Sequence, residues 1–62
     1  MKNNIKYLRK EKNMSQEKLA TLTNVSRQTI NAIENNKYDP SLALAFKLSQ
    51  ILEISLEKLF IF

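Results

Sequence analysis

Apolar residues recur at helical spacing along nearly the whole chain. The sets are Ile5 and Leu8; Leu19, Ala20 and Leu22; Val25, Ile30 and Ile33; Leu44, Ala45, Leu48, Ile51 and Leu52; and Leu56 with Leu59. Steps of three and four residues put each set on one face of a helix, so these stripes are the expected core. No run alternates apolar and polar residues for long enough to make a central strand, and no internal repeat or low-complexity stretch is present. Ser15, Ser26, Ser41 and Ser55 each stand just before an apolar-periodic stretch, where a serine oxygen accepts an otherwise orphaned N–H. Met14 with Leu19, Val25 with Ile30, and Ile54 with Leu59 have the spacing of a hydrophobic staple around such a cap. Pro40, just before Ser41, also suits a helix entry. The pattern predicts five helices, over about 3–12, 16–23, 27–35, 42–52 and 56–60. Asn13, Asn24 and Asn36 sit at helix ends, where asparagine is the least costly non-glycine residue for a left-handed turn.

Composition narrows the chemistry. The 62 residues predict one small domain over 1–62, with a thin core and no room for a separate effector domain. Cysteine, histidine, tryptophan and glycine are all absent. Without Cys there is no disulfide frame or thiol nucleophile, and without His and Cys a zinc site has only carboxylates left to it. Without Gly there is no phosphate-cradling loop of the P-loop or dinucleotide type. No apolar run approaches the ~20 residues that cross a bilayer, and no secretory signal is visible. The expectation is a soluble, cytoplasmic binding module with no cofactor, no metal and no membrane partner.

Charge changes the picture further. Ten Lys+Arg against six Asp+Glu give +4. Residues 1–31 hold seven basic and two acidic side chains, a net of +5, whereas residues 32–62 hold three and four, a net of −1. A one-sided basic field is the footprint of a nucleic-acid or anionic-surface binder, although a merely solubilising face has the same composition.

The most informative stretch is SQEKLATLTNVSRQTINAIENNK, residues 15 to 37. Two short helices, about 16–23 and 27–35, are separated by a tight turn around Asn24-Val25, the spacing of a helix-turn-helix. In the second helix Ile30 and Ile33 point inward with Val25, while Arg27, Gln28, Asn31 and Asn35 point outward. An Arg forks onto guanine O6 and N7, and Gln or Asn onto adenine N6 and N7. An ordinary solvated helix face more often carries Glu and Lys pairs, and Asn is a poor helix former, so base readout is the preferred reading.

Those residues, with Arg9, Leu19-Ala20, Val25-Ser26-Arg27-Gln28-Thr29-Ile30, Ile33-Glu34-Asn35, Lys37, Pro40-Ser41-Leu42 and on through Leu52 to Leu59-Phe60, resemble a Cro/cI-type helix-turn-helix domain. That is the family of phage repressors and small xenobiotic-response-element-like regulators, and the resemblance covers essentially the whole chain. It implies an all-α, compact five-helix, lambda-repressor-like domain that binds double-stranded DNA, usually as a dimer on a near-palindromic operator. Gln16 resembles the family glutamine that bonds a backbone phosphate. Arg27 and Gln28 match base-reading positions, with Ser26 beside them on the DNA side. Ala32 matches a position where a methyl packs on thymine. Asn31 lies at a variable outward position, and Asn35 with Lys37 matches a phosphate-contacting loop. Asn24 and Asn36 depart from the family's usual glycines. Asp39, in a loop expected near DNA, is better suited to a structural role before Pro40.

Three features keep two readings each. Arg9 and Glu34 border the core stripes; the resemblance implies an ion pair between the first and third helices, against two independent exposed charges. Lys2, Lys6 and Lys10 recur every four residues, either as added phosphate contacts or as a solvated face. Leu59-Phe60-Ile61-Phe62 is a sticky ending. It serves either as a dimer contact or as a tail folded back to pair as a short strand with 1–3, and both can hold together.

As an enzyme the chain offers little, because its acids are scattered and four of its five serines are explained as caps. Tyr7 and Tyr38 are too few for stacking on RNA. The competing function is an antitoxin or protein-interaction module that uses the apolar tail. The reading that accounts for most residues is a dimeric, sequence-specific transcriptional regulator of prokaryotic, phage or plasmid origin. It would occlude a promoter and need no small-molecule effector.

Overall fold

The computed structural model describes residues 1–61. Their order is β1 (Lys2–Asn3), α1 (Ile5–Glu11), α2 (Gln16–Thr23), α3 (Arg27–Glu34), α4 (Leu42–Leu52), α5 (Leu56–Leu59) and β2 (Phe60–Ile61). The five helices expected from periodicity are present, with one difference at the start. Residues 2–3 are drawn out of α1 into a strand that pairs antiparallel with β2, Lys2 opposite Ile61 and Asn3 opposite Phe60. Lys2 therefore leaves the α1 stripe, which keeps Lys6 and Lys10. No helix among the described residues is long and apolar enough to cross a membrane.

The connections share one chemical grammar. Asn13, Asn24, Asn36 and Glu53 all have positive φ, between 54° and 61°. After each, the next amide reaches back to close the preceding helix: Met14 N–H to Arg9 O, Val25 to Ala20, Lys37 to Ala32 and Ile54 to Ser49. This is the Schellman ending, which satisfies carbonyls left over at a helix C-terminus. Three of the four endings are followed at once by the next helix. In Asn13-Met14-Ser15, Asn24-Val25-Ser26 and Glu53-Ile54-Ser55, a left-handed residue stops one helix and a serine starts the next. The apolar residue between them packs against the core in every case. One three-residue unit thus serves as C-cap, staple and N-cap together. Ser15, Ser26 and Ser41 accept from the backbone N–H of Lys18, Thr29 and Leu44. Ser55 has the same extended backbone but makes no side-chain cap bond. Ser49 donates its hydroxyl to Ile54 O at 2.6 Å, bracing the turn before α5.

The core gathers Ile5, Leu19, Ala20, Ile30, Ile33, Leu44, Ala45, Leu48, Leu52, Leu59 and Phe60. Leu8, Val25, Ile51 and Leu56 pack against it while half-buried. Leu22 corrects the expected core, being 45% exposed. On α2 the inward stripe runs through Leu19, Ala20 and Thr23, and Leu22 falls outside that arc. Thr23 takes the buried seat and settles its hydroxyl on Leu19 O at 2.8 Å, so no polar atom is stranded.

Among the described residues, Glu53 is the one left-handed position held by neither Asn nor Gly, and its carboxylate reaches Lys12 from an exposed site. A left-handed L-residue costs roughly 1–2 kcal/mol, and an exposed ion pair returns about 0–1 kcal/mol. Glu53→Gly is expected to raise the melting temperature by about 4 °C in a thermal scan; a lower midpoint would mean the Lys12 contact outweighs the backbone.

Candidate nucleic-acid interface

α3 forms because Ser26 caps it, accepting the Thr29 N–H at 3.1 Å and sharing a hydrogen bond between hydroxyls at 2.9 Å. Its apolar edge, Ile30 and Ile33, is only 1% exposed and faces the core. The opposite edge carries Arg27, Gln28 and Asn31, all exposed. Among the described residues, none of these three side chains is hydrogen-bonded to another protein group. Gln16, in the first turn of α2, joins them around one shallow hollow. A second hollow, beside it, is lined by Arg9, Ser15, Gln16, Glu17 and Arg27. The site is a surface rather than an enclosed cavity, rich in donors and open on one side.

The remaining candidates divide by what already holds them. Asn35 is the C-cap residue of α3, not part of its last turn, and its amide donates to Asn31 O at 2.8 Å. Ala32 is half-buried beside Ile33, and Lys37 is exposed just past the left-handed Asn36. The Gln16 amide donates to Glu34 Oε1 at 3.0 Å, which leaves its second N–H for an outside acceptor.

Beneath the surface lies a buried ion pair. Arg9 Nε donates to Glu34 Oε2 at 2.8 Å and Arg9 Nη2 to Glu34 Oε1 at 3.2 Å, with side-chain exposures of 8% and 2%. Arg9 Nη1 also donates to Met14 O at 2.8 Å, at the entry to α2. Arg9 leaves α1, Glu34 ends α3 and Gln16 begins α2, so one carboxylate ties three helices together. Periodicity placed Arg9 and Glu34 at the core border. It carried no signal for the Met14 carbonyl or for the bond from Gln16 to Glu34, which depend on how the helices cross.

The apolar ending is rearranged. Leu59 is fully buried on the inward stripe of α5, and Phe60 is 3% exposed because β2 folds back onto β1 and turns it into the core. Leu59 is therefore not free for a partner and Phe60 shows only an edge; Ile61 is half-exposed, and Phe62 lies outside the described residues. The apolar surface that does remain is a groove of 250 Å³ lined by Met1, Pro40, Leu42, Ala45, Leu56 and Phe60, with Phe46 exposed on the same helix as Leu42. Asp39 is engaged by the Met1 amine at 2.9 Å, a structural contact beside Pro40.

Comparison with known proteins agrees with this geometry. The profile of the helix-turn-helix family matches residues 5–59. An uncharacterized HTH-type transcriptional regulator of Methanocaldococcus jannaschii is 53% identical over 62 residues, covering 100% of this chain and 94% of that protein. An uncharacterized HTH-type transcriptional regulator of Archaeoglobus fulgidus is 44% identical over 62 residues, 100% of this chain and 87% of its own. The crystal structure of the restriction-modification controller protein C.AhdI from Aeromonas hydrophila superposes with a TM-score of 0.81 at 34% identity, over 90% of this chain and 85% of that one.

Removing one partner of a buried ion pair costs about 3–5 kcal/mol. That is comparable with the whole stability of a domain this size, roughly 3–9 kcal/mol. Glu34→Ala should therefore lower the melting midpoint by at least about 12 °C. Arg9→Met combined with Glu34→Leu, which removes both charges, should recover much of the loss. A Glu34→Ala melt that overlays the wild type would contradict the importance assigned to the pair.

Proposed function

The chain belongs to the helix-turn-helix family, as a transcriptional regulator with a helix-turn-helix DNA-binding domain, and from that premise we propose that residues 1–62 act as one domain that represses transcription as a homodimer on a near-palindromic operator. The observation that carries this reading is the outward edge of α3. Among the described residues, Arg27, Gln28 and Asn31 project unpaired donors and acceptors from the N-terminal part of α3, the end by which a recognition helix meets base edges in the major groove, with Gln16 of α2 beside them. Arg27 and Gln28 read base edges, Asn31 adds a third polar contact, and the Ala32 methyl packs against thymine. Gln16, Ser26, Asn35 and Lys37 bind the phosphate backbone on either side, fixing register without carrying sequence information.

The charge distribution supports the same orientation. The half of the chain that carries α1, α2 and the start of α3 has a net charge of +5, and the remainder −1. DNA is drawn to the first, while the second, nearly neutral, faces a copy of itself with little net repulsion. The dimer surface is the apolar face of α4 with the groove beside it, around Leu42, Phe46 and Ile61, rather than the buried Leu59 and Phe60. A two-fold arrangement there sets the two α3 helices about 34 Å apart, one turn of DNA.

Selection from a randomised duplex pool at two salt concentrations, followed by sequencing, tests the proposal. The expected result is a near-palindrome with guanine or adenine at paired positions. Arg27→Ala and Gln28→Ala should each relax one position and cost about 1–3 kcal/mol of specific binding. Retention without enrichment, lost at the higher salt, would reduce the basic half to a generic phosphate attractor and turn attention to a protein partner for the α4 face.

A further inference from the structure

α3 has two ends, and they are held by different means. Its N-terminus is capped by Ser26 from within the helix-turn-helix itself. Its C-terminus is anchored from outside, through the Glu34 carboxylate to Arg9 and Gln16 and through its backbone to the second residue of β1. Asn3 Nδ2 donates to Ile33 O at 2.9 Å across 30 positions of sequence. Among the described residues this is the sole hydrogen bond between the terminal sheet and α3. The same amide fixes its own orientation, because Asn3 Oδ1 accepts the Ile5 N–H at 3.1 Å at the start of α1. Reversing the amide would set oxygen against the Ile33 carbonyl and nitrogen against the Ile5 N–H, losing both bonds.

The Ile33 carbonyl is where this matters. It also accepts the Asn36 N–H at 3.1 Å, while the Lys37 N–H closes on Ala32 O at 2.9 Å. These bonds form the turn that ends α3 and launches the loop toward α4. Asn3 pins that turn to a strand whose partner, Phe60, is seated in the core. Asn35 and Lys37, on either side of the left-handed Asn36, take their direction from this one turn.

We propose that Asn3 is a positioning residue for DNA binding: its amide holds the C-terminal turn of α3 against the terminal sheet and so aims Asn35 and Lys37 at the phosphate backbone. The inference rests on the reading of α3 as the DNA-facing helix. It assigns Asn3 no contact with DNA. The base-reading end of α3, held by Ser26, is independent of it. Loss of the Asn3 donor should therefore weaken phosphate contact while leaving base preference alone.

Two variants separate this role from simple folding. Asn3→Ser keeps a hydroxyl able to cap Ile5 but is too short to reach Ile33, whereas Asn3→Ala loses both of these bonds and the exposed one from Asn3 Nδ2 to Met1 O at 3.3 Å. Binding of each to the duplex enriched from the randomised pool is measured over a range of salt, alongside thermal melts. The expected result for Asn3→Ser is a melt close to wild type, affinity lower by about tenfold (about 1.4 kcal/mol), and a salt dependence shallower by roughly one unit of slope. Its enriched sequence should be unchanged. Asn3→Ala should match it in binding and melt lower. Wild-type affinity and slope in Asn3→Ser would overturn the proposal, as would a loss that follows the melting temperature with the slope intact. If the wild-type protein itself enriches no sequence, the reading of α3 fails first and this inference with it.

Discussion

A single buried carboxylate organises the molecule. Glu34, at the last turn of α3, accepts two hydrogen bonds from Arg9 and one from Gln16, while Arg9 Nη1 donates to the Met14 carbonyl. A charged group taken out of water is tolerable only when its lone pairs are filled by well-placed donors, and here Oε1 has two and Oε2 one. Hydrophobic contacts among Leu19, Ile30 and Leu48 hold the helices together without dictating their rotation, since dispersion and burial are non-directional. The planar fork of Arg9 is directional. It fixes where α3 ends relative to the start of α2, and that relation defines a helix-turn-helix.

The same network reaches the surface. Gln16 is bound to Glu34 on one side and open to solvent on the other, so the group expected to meet a phosphate is preset by the group that holds the recognition helix. Among the described residues, Arg27, Gln28 and Asn31 have no such internal partners. The interface is therefore divided between side chains held in place by the fold and side chains left free to satisfy a base edge. This division follows from chemistry: backbone contacts must be made at one fixed geometry, while reading a sequence requires donors not already satisfied.

Economy in the turns makes the small size workable. With no glycine, the chain places Asn at three left-handed positions and accepts Glu at a fourth. Three of its linkers compress cap, staple and cap into three residues. Little of the chain is then spent on loops, and a thin core is enough to close the fold. The exception is the segment between α3 and α4, where Asn36 is followed by Lys37 and Tyr38, which are both exposed, instead of an apolar residue and a serine. That is also the segment anchored by the long-range bond from Asn3.

The sequence by itself determined the helices, their caps and most of the core. Each of these depends on residues within one or two turns of one another: serine before an apolar stripe, asparagine after it, apolar residues three and four apart. It also marked the outward edge of α3, because the faces of a helix follow from its period alone. Even there it placed Leu22 inside, and only packing revealed that Thr23 takes that seat. What the tertiary structure decided was everything that joins positions distant in the chain. It turned Phe60 inward by pairing β2 with β1, led Gln16 to Glu34, and brought Asn3 to the carbonyl of Ile33. Local pattern encodes which way a side chain points from its own helix; which group it then meets depends on how the helices cross, and only the assembled core sets that.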